Sequence, residues 1–126
     1  MTIEAKSYRA AMEVTFTFPE TIQEETGYKS VTIRELSKSA ETKALARAGL
    51  DGAVLMQELS AESLVRAVKV DGTVQEISTA DDSIDVFMSA VGSKGRALVG
   101  AAYGKVNQPN KDEATSFLGS ASAKVG

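Results

Sequence analysis

Three stretches of this 126-residue chain hold side chains able to do chemistry. Asp81, Asp82 and Asp85 gather carboxylates beside one another, and Glu20, Glu24 and Glu25 form a second acidic group. Gly92-Ser93-Lys94-Gly95 sets a cation in flexible backbone. A calcium loop needs alternating oxygen ligands around a central glycine, which the aspartates lack. Acids in the first turn of a helix are favoured by its dipole, and that is the reading they support. Acid–base catalysis by paired carboxylates needs one pKa raised in an apolar pocket. Nothing near Glu20–Glu25 supplies one, so a solvated loop is expected there. A phosphate-binding loop follows a strand and has a longer spacing. Gly92–Gly95 follows a helical pattern and reads as a turn between helices.

The chain contains neither His nor Cys. A Ser/His/Asp or Cys/His relay and a thiolate metal site are therefore out of reach, and disulfides are excluded. The expectation is a protein with no catalytic residues, no cofactor and no metal. A small enzyme working with carboxylates alone is the rival from that class. The net charge of −3 gives no basic footprint for nucleic acid or for an anionic membrane surface. The longest apolar run, Ala97–Gly104, is far short of the roughly 20 residues of a membrane span. The opening MTIEAKSYRAAME carries acidic residues and has no hydrophobic segment of the signal-peptide kind. An apolar content of 43% and a charged content of 25% are ordinary for one globular domain. Few aromatics and many Ala and Gly predict a lightly packed core with close helix approaches.

The strongest periodic signal lies in Thr79–Asn107 and just beyond it. Ile84, Phe87, Met88 and Val91 fall at i, i+3, i+4 and i+7, and Val99, Ala102, Tyr103 and Val106 repeat the spacing. Ala114, Phe117, Leu118 and Ala121 give a third copy. At 3.6 residues per turn each set shares one face, so three helices are predicted. Thr79 with Asp82 resembles a capping box at the first start, and Asn110 with Glu113 does so at the last. Gly100, Gly104, Ala97 and Ala101 form a small-residue edge suited to close packing. The last helix either closes the core or docks in the groove of a partner.

Two further helical pieces are predicted upstream. One runs over Ser37–Leu50, with Ala44, Leu45 and Ala48 as its stripe and Gly49 as its stop. The next covers Ala53–Leu59, and Ser60 is expected to start another short run over Ala61–Val68. Strict alternation marks strands at Glu13–Phe18 and Tyr28–Leu36, which can pair as an antiparallel hairpin. Val68–Ile77 reads as a second hairpin, with Asp71-Gly72 in a type I′ turn. The predicted fold is α+β: an N-terminal antiparallel β-hairpin over 12–36 on a mostly helical body over 37–123, with a short second hairpin near residues 68–77. Residues 1–10 read as a loose arm, and 1–126 as a single domain.

Two quoted stretches carry a resemblance. One is Val31–Leu36 (VTIREL). The other runs from the acidic helix DDSIDVFMSAV through KGRALVGAAYGKVNQP to a helix opening NKDEA and continuing to Ser-Phe-Leu. Together these resemble tail assembly chaperones of long-tailed bacteriophages and prophages, across roughly residues 12–122. The Ser-Lys-Ser-Ala-Glu that follows Leu36 and the Asp71-Gly72 hairpin depart from the pattern. The resemblance implies a protein that binds the tape measure protein and keeps it soluble while tail-tube subunits polymerise around it. It also implies residence in the host bacterial cytoplasm and, where a frameshift adds a C-terminal extension that recruits the tail tube subunit, identity as the shorter product. A homo-oligomer is compatible with that role. Val99, Tyr103, Val106, Phe117 and Leu118 are the candidate partner-binding residues, with Met56 and Met88 as compliant groove lining. The alternative is a structural subunit of a phage tail or baseplate that stays in the mature particle.

Overall fold

A computed structural model of the chain describes residues 12–123; the expected arm over 1–10 and the fraying end after Ala123 lie outside the described residues. Four strands, β1 (Glu13–Thr17), β2 (Tyr28–Arg34), β3 (Leu64–Lys69) and β4 (Val74–Glu76), form one antiparallel sheet in chain order. The helices are α1 (Glu20–Thr26), α2 (Lys38–Ala48), α3 (Gly52–Ser63), α4 (Ser83–Ala90), α5 (Gly92–Asn107) and α6 (Lys111–Ala123). The fold is α+β, with both expected hairpins present. Pairing of β2 with β3 joins them into a single sheet.

The alternation in β1 and β2 decides which face meets the helices. Val14 pairs with Ile33 and Phe16 with Val31, and these side chains face the core. On the other face the Thr15 and Thr32 hydroxyls hydrogen-bond at 2.9 Å. Arg66 there reaches Glu13 at 3.7 Å and Glu76 at 3.4 Å. Helix α5 lies along the core face against β2, and α3, α1 and α4 pack on α5. Its stripe of Val99, Ala102, Tyr103 and Val106 is buried, as are Ile84, Phe87 and Val91 of the preceding pattern. The Phe87 and Tyr28 rings meet edge to face, 5.0 Å between centroids. Asn107 fastens the far end of α5 to the sheet. Its side-chain amide donates to the Arg34 carbonyl at 3.1 Å, and its oxygen accepts from the Leu36 N–H at 2.7 Å.

Several local expectations are corrected. Glu20–Gly27 is a helix, not a loop. Pro19 offers its carbonyl to the N–H groups of Ile22 and Gln23, Ile22 is buried, and Gly27 ends the turn at φ 80°. The run expected over Ala61–Val68 is not a separate helix: Ala61–Ser63 complete α3, and the rest is strand. Ser60 lies inside α3, its hydroxyl donating to the Met56 carbonyl, and the chain turns extended at Leu64. Leu64 and Ala67 are buried beside Ile33 and Val31, so partnership in the sheet outweighs a helix-compatible spacing. In α2 the buried face is Ala40, Ala44 and Ala48, and Leu45 is exposed.

The Asp71-Gly72 turn is also different in kind. The Lys69 carbonyl accepts from the Gly72 N–H, the Lys69 N–H donates to Thr73, and only Gly72 of the pair has positive φ. That is a three-residue connection with a glycine bulge, not a type I′ turn. Thr79 does not cap α4, which begins at Ser83. Gly92–Gly95 is the first turn of α5, and the bend between helices is confined to Gly92, at φ 68°. The last expected cap is present in full. Asn110 and Glu113 exchange backbone-to-side-chain hydrogen bonds, both at 2.8 Å, and start α6.

Candidate partner-binding surface

Helices α3, α4 and α5 meet at their inner edges and leave a groove between them. A helix supplies a long apolar row only where its neighbours stay back, and here small residues hold the space open. Ala97 and Gly100 form one wall, Met56 and Ala61 the second, and Ile84 and Met88 the third. The groove measures about 610 Å³. Methionine is unbranched and polarizable, and adapts to differently shaped apolar guests. Charged side chains of both signs surround this lining: Asp81 and Asp85, Glu58, Arg47 and Arg96. The Arg96 guanidinium donates to the Met88 carbonyl at 2.7 Å, which ties the end of α4 to the start of α5.

Beside the groove sits a polar centre that no sequence motif announced. Glu62, on the last turn of α3, is buried, with only 4% of its side chain exposed. Its Oε1 accepts from Arg47 Nη1 at 2.8 Å and from the Thr79 hydroxyl at 2.8 Å. Oε2 faces Arg34 Nη2 at 3.4 Å, and Arg34 Nε donates to the Glu62 carbonyl at 3.1 Å. Arg47 also holds Glu58 at 2.6 Å. Burial by itself pushes the Glu62 carboxyl up; the bonds from Thr79 and Arg47 and the charges of both arginines outweigh it and hold the group below the usual carboxylate range. The centre thus pins α3 to α2, to the end of β2 and to the segment leading into α4. A more polar cavity of about 260 Å³ lies on its other side, and Thr79 lines both spaces.

The five candidate partner residues are not brought together. Val99, Tyr103 and Val106 are 0%, 3% and 9% exposed, because α5 spends its apolar stripe on the sheet and its neighbouring helices. Burial also raises the Tyr103 phenol, with the charge of Glu41 acting in the same direction. Phe117 and Leu118 stand on α6, 72% and 63% exposed. Helix α6 packs closely on none of the other described elements.

The acidic groups that opened the sequence argument serve local structure. The Asp81 carboxylate accepts from the Ser83 N–H at 2.9 Å and from the Ser83 hydroxyl, which lowers its pKa. Glu25 lies 3.7 Å from Lys94 across α1 and α5. Among the described residues no group of acids is arranged to hold a metal ion, and no helix is long and apolar enough to cross a membrane. Compared with known proteins, the chain matches no family model, no curated protein and no solved structure.

Sequence reasoning named Met56 and Met88 as lining but could not place them against Ile84, Ala61 and Ala97. It missed Glu62 altogether. The available signal was an acid between Ala61 and Leu64-Val65, where an apolar residue would be unremarkable.

Proposed function

We propose that the chain is a non-enzymatic assembly chaperone for the tails of long-tailed bacteriophages, working in the cytoplasm of the bacterial host. It binds the tape measure protein and keeps that helix-rich chain soluble until tail-tube subunits enclose it. The observation that carries the reading is the open, methionine-lined groove between α3, α4 and α5. An amphipathic helix laid in such a groove buries an i, i+3, i+4, i+7 row without any covalent chemistry. The VTIREL and KVNQP stretches, which carry the family resemblance, support it further: Asn107 bonds one to the other. Met56 in the groove wall is itself exposed, and Leu45 and Leu50 are further exposed apolar side chains on α2 and at its end.

Co-expression tests this directly. The tape measure protein should move from the insoluble to the soluble fraction in the presence of this chain, and the two should co-purify. Met88→Glu, which sets a charge in the groove, should abolish both effects in a variant that still folds. No gain in solubility and no complex would overturn the reading. Finding the chain as a stoichiometric component of mature particles would move it instead to a structural subunit of the tail.

A further inference from the structure

The groove between α3, α4 and α5 is apolar in its lining but unevenly charged along its length. On the α4 wall, Asp81 and Asp85 stand toward the start of the helix, and the Arg96 guanidinium is held at its end by the Met88 carbonyl. We propose that the groove selects an amphipathic helix of another chain by the order of its charges: an apolar row with basic residues at the end that meets Asp81 and Asp85, and acidic residues at the end that meets Arg96. The inference rests on the reading of this groove as a helix-binding site and deepens it, adding which helix is preferred and which way round it lies.

Three observations carry this charge order. First, the other charges beside the groove cancel among themselves. Arg47 holds Glu58 at 2.6 Å and Glu62 at 2.8 Å, and Arg34 faces Glu62 at 3.4 Å, so the two arginines offset the two glutamates. Second, the charges left over face solvent and are not spent on one another. Asp81, Asp85 and Arg96 are all exposed. Asp81 is bonded to the uncharged Ser83 and Arg96 to the uncharged Met88 carbonyl, so each keeps its full charge. Asp85 has no side-chain partner among the described residues. Third, the two signs are kept apart. Asp81 precedes the first turn of α4 and Arg96 is tied to its last, so the length of that eight-residue helix, about 12 Å at 1.5 Å per residue, lies between them. That exceeds the roughly 8 Å over which exposed charges act at physiological salt, so the two ends present opposite potentials instead of one averaged field. A guest row from i to i+7 covers about 10 Å, and the residues that flank it land on the two charged ends. One exposed pair adds little to affinity, but the wrong order of charges is penalised at both ends. The apolar lining thus supplies attraction, while Asp81, Asp85 and Arg96 supply direction.

The test titrates synthetic helical peptides into the full chain and follows binding by fluorescence anisotropy. All carry the same leucine row at i, i+3, i+4 and i+7. One has Lys at one end and Glu at the other, the second has Gln at both ends, and the third has Glu at both. The Lys/Glu peptide should bind about tenfold more tightly than either of the others, and its advantage should shrink as salt is raised. Asp85→Lys, at an exposed position of α4, should remove most of that advantage and leave the affinity for the Gln peptide unchanged, which also reports that the groove is intact. The chain contains no Cys, so a spin label on Ala80→Cys or on Ser93→Cys reports one end of the groove at a time. The first label should broaden the resonances of the Lys end of the peptide, and the second those of the Glu end. Equal binding of the three peptides overturns the proposal, and so does binding of none. An advantage untouched by Asp85→Lys, or labels that find the two ends reversed, would overturn it as well. A chain that solubilises the tape measure protein but shows no charge preference among the peptides removes this inference and leaves the proposed function standing. A charge-ordered groove in a chain with no effect on the tape measure protein does the reverse.

Discussion

Helices α5 and α6 carry the same apolar spacing and meet opposite fates. Val99, Ala102, Tyr103 and Val106 of α5 are all buried, while Phe117 and Leu118 of α6 are exposed. Periodicity fixes which residues share a face; it does not say whether anything covers that face. Coverage of α5 comes from elsewhere in the chain. The sheet offers Val31 and Ile33, α3 offers Ala61, and Asn107 ties the helix end to β2. Beyond Gln108-Pro109, α6 starts from its own Asn110–Glu113 box, and Phe117 projects largely into solvent.

The largest effect that would sharpen this contrast belongs to the covered side. Phe87 is fully buried, against Tyr28 and beneath α5. Phe87→Ala should cost about 3–5 kcal/mol of unfolding free energy, read from chemical denaturation. A loss under about 1 kcal/mol would mean that the packing around α5 is loose, and the distinction between the two helices would fail.

A smaller effect is expected at Glu62, which holds the segment before α4 in place. Removing one partner from a fully buried ionic cluster costs roughly 3–5 kcal/mol. Arg34 and Arg47 are partly exposed and keep solvent, and glutamine can still accept from Thr79, so Glu62→Gln should cost about 2 kcal/mol. The pH dependence has a definite sign. The folded carboxyl titrates below its unfolded value, so its contribution is complete above the unfolded pKa of about 4.3 and disappears as pH falls through the folded one. The stability gap between wild type and Glu62→Gln should therefore be constant at neutral pH and shrink in acid. A gap that widens in acid would mean that the arginines do not set this group's titration.

The parts of the fold legible in the sequence are those specified by short-range chemistry. The strict alternation of Val14, Phe16 and Phe18, the Asn110–Glu113 box and the stripe of α5 all depend on neighbours a few residues away. The parts that were not legible depend on distant ones. Leu64–Val68 satisfies a helical spacing but is drawn into the sheet by β2, roughly 30 residues earlier in the chain. Glu20–Thr26 looks solvated because one buried residue, Ile22, is its only apolar anchor. Glu62 has its arginines on two other elements, so no spacing reveals it. The groove is the extreme case, since it exists only where three helices meet. Its methionines could be proposed from residue type, but their convergence could not.

The smallest expected effect is at Phe117, and it tests the contrast from the uncovered side. The side chain is 72% exposed, so truncation removes little buried surface from a single copy. Phe117→Ala should change the unfolding free energy of the dilute chain by no more than about 0.5 kcal/mol, with an unchanged denaturant slope. A loss above about 1.5 kcal/mol at high dilution would place α6 on its own core in solution, and the two helices would then differ in degree only. Concentration separates the remaining possibilities. A contact within one copy costs the same at every protein concentration. A difference that grows as the protein is concentrated would show instead that Phe117 meets another molecule.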